Sequence, residues 1–86
     1  MGLIALYLHI GSDVEIPIKN IIFILDVELA RTKINKEFRV DEIINISTKK
    51  LKSLILVQDE DKKYTLFTSP ISTYTLRKRL ENFMFF

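Results

Sequence analysis

The run Ile21-Ile22-Phe23-Ile24-Leu25 constrains this chain more than any other feature. It is rich in β-branched residues and apolar at every position, which predicts a strand buried on both faces. That strand has to be housed in 86 residues, enough for one domain, residues 1–86, and no more. A chain this short buries only roughly 60–65% of the surface that its unfolded form exposes. Hydrophobic residues make up 48% of it, the upper end of the globular range, so part of the apolar surface has no place inside one subunit. Homo-oligomerisation is the expected outlet, because large apolar patches mark interfaces.

The flanking segments supply the other elements. Residues 4–10 alternate, with Leu6, Leu8 and Ile10 on one face and Tyr7 and His9 on the other, which is the period of a strand. Gly11-Ser12-Asp13 is turn chemistry, and the extended piece Val14 to Ile16 ends at Pro17, which confines it to an edge or a bulge. Asp26 is placed to cap a helix of about three turns, in which Val27, Ala30, Ile34 and Phe38 recur at spacings of three and four. A strand around Ile43 to Ile46 leads into the basic segment of residues 47–52. Leu54 to Val57, the turn Asp59-Glu60-Asp61-Lys62 and Tyr64 to Thr68 then read as a hairpin. Ser69-Pro70 breaks the last strand. Ser72 or Thr73 can cap a final helix, with Leu76, Leu80 and Phe83 in one stripe and residues 84–86 as an apolar tail. The order predicts an α+β domain on a small, mostly antiparallel sheet with two helices.

Several classes of chemistry are excluded or disfavoured. Without cysteine there is no disulfide framework, thiolate zinc site or cysteine nucleophile. His9 is the only histidine, so a metal site would need carboxylates alone as its other ligands; no metal and no cofactor are expected. Gly2 and Gly11 are the only glycines, too few for a phosphate-binding loop, and no serine sits in a nucleophile elbow. A non-enzymatic protein is expected. Residues 1–10 lack a basic n-region and a cleavage site, and no apolar run is long enough to span a membrane, which makes the cytoplasm the expected compartment. Residues 1–42 carry five Lys/Arg against seven Asp/Glu, and residues 43–86 carry eight against four. The second half, at +4, is the one suited to face a polyanion.

Two segments carry a family resemblance. Tyr7-Leu8-His9-Ile10-Gly11 in the first strand, and Ser69-Pro70-Ile71-Ser72 followed by Thr75-Leu76 and Lys78-Arg79, resemble the RemA/RemB regulators of bacterial extracellular-matrix genes, the RemB branch most closely. The resemblance runs from about Tyr7 to Leu80, leaving residues 1–6 as an extension of the first strand. It implies a fold similar to the LytTR-type DNA-binding domain, assembly into rings, binding to promoter DNA, and a role in switching on biofilm-matrix genes. Arginines that contact DNA in RemA-like proteins correspond here to Asn20, with Lys19 beside it, and to Lys49-Lys50 or Lys50-Leu51. Lysine contacts phosphate but lacks the planar fork that reads guanine, so weaker or less selective binding is implied.

These readings give a set of candidate residues, each with a plainer alternative. Lys49, Lys50 and Lys52 repel one another in a loop, which suits phosphate neutralisation but equally a solvated loop that guards a sheet edge. Arg77 and Lys78, with Arg79, offer a second phosphate contact or a merely soluble helix face. Lys62 and Lys63 beside three acids read as a self-cancelling hairpin tip. Tyr7, His9 and Phe83 are candidates for the oligomer interface, while Phe85 and Phe86 have no assigned place. The leading reading is a homo-oligomeric regulator of double-stranded DNA transcription sites. Its rival is an adaptor ring that engages a partner regulator, such as a RemA-type protein, with little or no DNA binding.

Overall fold

The computed structural model describes residues 6–29 and 40–84. Strands β1 (Tyr7–Gly11) and β2 (Val14–Pro17) form an antiparallel hairpin, and a 3-10 turn at Ile18–Asn20 leads into β3 (Ile21–Asp26). Helical structure begins at residues 27–29. Strands β4 (Glu42–Asn45), β5 (Ser53–Gln58) and β6 (Tyr64–Ser69) follow, and a final helix spans Thr73–Met84. The four longer-range strands make one sheet in the order β3-β5-β6-β4. The chain is an α+β fold. The expected positions Ala30, Ile34 and Phe38 of the first helix lie outside the described residues, as do Phe85 and Phe86. Met84 closes the final helix instead of opening a tail.

The β1–β2 hairpin follows from its turn. Ser12 and Asp13 have φ of 49° and 61°, so both central residues are left-handed, the geometry whose twist matches that of paired strands. Gly11 has φ +114°, and a Cβ there would lie 3.4 Å from Pro70 Cδ and 3.6 Å from Ile46 Cδ1. The dihedral is what calls for glycine, since at these distances a Cβ would make ordinary van der Waals contact. Alternation holds as the sequence predicts: Leu8 and Ile10 are buried, Tyr7 and His9 exposed. Leu6 lies just ahead of β1 and stays exposed, its carbonyl accepting a hydrogen bond from the Ile18 amide at 2.9 Å.

Two apolar clusters lie on the two faces of the four-stranded sheet. On one, Ile55 and Val57 pack with Leu8, Ile10 and Ile16 of the hairpin and Leu76 of the final helix. On the other, Leu54, Leu56 and Leu66 gather Phe23, Leu25, Val40 and Leu51. The strand buried on both sides is therefore β5, whose residues 53–57 are all buried, and not the Ile21–Leu25 run. Among the described residues β3 pairs only with β5 and occupies a sheet edge, leaving Ile22 44% exposed. Both runs are apolar throughout; long-range pairing decides which becomes central. The sheet is also mixed, since β3–β5 and β5–β6 are antiparallel but β4 runs parallel to β6. β4 starts one residue earlier than Ile43, and Ile46 leaves it to pack on the core.

Candidate nucleic-acid interface

The lysine loop connects β4 to β5, and its backbone is held at several points. The Lys49 amide donates to Ser47 Oγ at 3.0 Å, a turn built by the serine side chain. Lys52 is pinned from both sides: its amide donates to the Ser69 carbonyl at 2.9 Å, and its carbonyl accepts from the Val27 amide at 3.1 Å. Leu51, between the charges, turns inward against the Leu54, Leu56 and Leu66 cluster. Lys49, Lys50 and Lys52 are all exposed. Among the described residues the only ion pair is Lys78–Glu81, so no described carboxylate neutralises this loop. The acid next to Val27, Asp26, is engaged by its own chain, Oδ1 accepting from the Glu28 amide at 2.9 Å in the capping role expected of it.

Lys19 and Asn20 are elsewhere. They sit in the 3-10 turn that enters β3, where Ile21 is opposite Val57; the lysine loop adjoins the other end, where Asp26 is opposite Ser53. Five strand steps separate the two ends, roughly 17 Å. The Lys19 end is shared with the acidic hairpin tip, where the Lys62 amide donates to the Asp59 carbonyl at 3.0 Å and the Lys63 amide to Asp59 Oδ1 at 3.0 Å. One subunit thus offers two separate basic points, not one patch. Arg77 belongs with the first, lining a groove with Ile18 and Ile22. Lys78 is occupied locally, with Nζ 3.7 Å from Glu81 Oε2 and 5.6 Å from the centre of the Tyr74 ring.

Tyr7, His9 and Phe83 do come together. With Glu15, Arg79 and Asn82 they line a cleft of about 250 Å³ between β1, β2 and the final helix. Arg79 is the tie: Nη1 donates to the His9 carbonyl at 2.7 Å and lies 3.4 Å from His9 Nδ1. The sequence grouped Arg79 with a cationic face, whereas its guanidinium docks the helix on β1. No protein-family model matches this chain, and no curated protein or solved structure does either. Among the described residues no three His, Cys, Asp or Glu side chains are grouped to hold a metal ion, and no helix is long and apolar enough to cross a membrane.

The sequence reading missed two buried serines. Ser69 Oγ donates to the Ile10 carbonyl at 2.7 Å and accepts from the Ile71 amide at 3.0 Å. Ser53 Oγ, across the ladder from Ser69, donates to the Ile71 carbonyl at 2.6 Å. Ser72 then caps the final helix, with Oγ 3.2 Å from the Thr75 amide. The segments Tyr7 to Gly11 and Ser69 to Ser72 therefore meet: serine to carbonyl, proline over glycine. Their role is to clamp the hairpin and the helix to the sheet. This clamp also fixes the position of the lysine loop, through the Lys52 to Ser69 hydrogen bond.

Proposed function

We propose that this protein is a non-enzymatic, homo-oligomeric DNA-binding regulator of the RemA/RemB kind, acting on extracellular-matrix genes with a LytTR-like arrangement of its domain. The observation that carries this reading is the lysine loop: three exposed ammonium groups within four residues, without a described carboxylate partner, on a backbone held by hydrogen bonds. Such a loop meets phosphates without first having to be ordered, and each neutralised phosphate releases counterions. Contacts of this size, taken singly, give dissociation constants on the order of 0.1 mM at physiological salt. Useful affinity then comes from repetition across subunits, which can raise avidity roughly a hundredfold or more. Exposed Ile43, Leu29 and Tyr7 are the kind of apolar surface that an assembly covers.

The separation between Lys19-Asn20 and the lysine loop favours a second reading, an oligomeric adaptor for a partner regulator. The basic side chains of one subunit are thus divided between two points roughly 17 Å apart instead of forming one concentrated patch. Mobility-shift titration against generic and AT-rich duplex at two salt concentrations distinguishes the readings. The DNA reading expects saturable binding of both duplexes that weakens steeply with salt. The adaptor reading expects no shift of either at concentrations where the protein is assembled.

A further inference from the structure

We infer that the groove between β3 and the final helix binds a short apolar carboxylic acid, with Arg77 receiving the carboxylate. The groove encloses about 350 Å³, within the lower part of the range of small-ligand sites. One wall is apolar, made by Ile18 of the 3-10 turn and by Ile21, Ile22, Phe23 and Ile24 of β3, and the helix wall presents Thr73, Arg77 and Leu80. Those three are spaced four and three apart, one face of a helix, so a hydroxyl, a guanidinium and an aliphatic side chain follow one another along it.

Arg77 is the only charged residue among the described lining residues, and among the described residues it has no hydrogen-bond or ion-pair partner. The neighbouring cations differ: Arg79 is spent on the His9 carbonyl and Lys78 on Glu81. An unpaired planar donor beside an apolar trough complements a ligand with one anionic head and an alkyl body. The seven helical steps from Thr73 to Leu80 rise roughly 10 Å. The strand wall from Ile21 to Ile24 is about as long. That length is close to the extended length of octanoate. A phosphate or sulfate without an apolar body would leave the apolar wall in water, and a plain hydrocarbon would leave Arg77 without an acceptor.

The test is isothermal titration of the full chain, without DNA, against octanoate and 1-octanol, so that its outcome is independent of the DNA reading. Octanoate should saturate at one per subunit, with octanol about tenfold weaker. Arg77→Gln, a change at an exposed position, should bring octanoate down to the level of octanol and leave octanol unchanged. Ile22→Glu, also at an exposed position, should abolish binding of both by placing an anion in the trough. Melting of both variants near the wild-type temperature confirms that the fold is intact. Equal affinity for octanoate and octanol, insensitivity to Arg77→Gln, or no saturable heat would each overturn the inference. So would octanoate binding that appears only when dilution has dissociated the assembly, because a second copy would then fill the groove.

Discussion

Replacing Ser69 with alanine removes two hydrogen bonds at once from a site that is 1% exposed. The hydroxyl donates to the Ile10 carbonyl, and Ile10 has no partner in β2, because the register shifts between His9 and Gly11. It also accepts from the Ile71 amide at the turn into the final helix. Alanine leaves a buried carbonyl and an amide facing a methyl group, each costing about 1–3 kcal/mol when left unsatisfied. Partial relaxation of the turn reduces the sum, so we expect a loss of roughly 2–4 kcal/mol. For a chain of this size the unfolding entropy converts each kcal/mol to about 5 °C, giving a fall in melting temperature of roughly 10–20 °C. Circular dichroism melting at one fixed protein concentration measures it, since assembly makes the melting temperature depend on concentration. Ser53→Ala, which breaks the single bond to the Ile71 carbonyl, should cost about half as much. A Ser69→Ala protein within about half a kcal/mol of wild type would refute the clamp, because that is the effect of an unremarkable surface change.

Three further outcomes follow from the same geometry. Gly11→Ala should destabilise the fold by roughly 1–3 kcal/mol, because a residue with a Cβ is strained at φ of +114°; chemical denaturation reads it directly. Asn20→Arg should strengthen binding to duplex DNA and steepen the salt dependence by about 0.9 in log–log slope, and an unchanged slope would remove Asn20 from the contact surface. Tyr7→Asp places a charge on the exposed face of β1 beside His9 and Phe83. Light scattering should then show a folded monomer, with DNA affinity reduced at least about tenfold as repeated contacts are lost.

What was legible in the sequence was local. The alternation of Leu8 and Ile10 with Tyr7 and His9, the turn after Gly11, the β5–β6 hairpin, and the caps at Asp26 and Ser72 all depend on residues within a few positions of one another. What was not legible depends on partners far along the chain. Ile21–Leu25 and Leu54–Val57 are equally apolar, and only the strand order puts the second between two neighbours and the first at an edge. The parallel pairing of β4 with β6 is likewise a matter of topology, not of residue pattern. For the candidate site, the exposure of Lys49, Lys50 and Lys52 was readable from their place in a polar loop. Their distance from Lys19 and Asn20 was not, because antiparallel register alone assigns the two groups to opposite ends of β3 and β5. Ser69 reads with Pro70 only as the break of a strand, and Ser53 carries no local signal, until the hairpin that they hold is in place.

The most direct test of DNA binding through the lysine loop is the salt dependence of duplex binding by wild type and by the Lys49→Glu, Lys50→Glu, Lys52→Glu triple variant. Each wild-type subunit that engages three phosphates should add up to about 2.7 to the log–log slope. The triple variant should lose duplex binding altogether, with its assembled mass unchanged and its stability within about half a kcal/mol of wild type, as befits exposed loop positions. A triple variant that binds duplex with the wild-type affinity and slope would contradict the account.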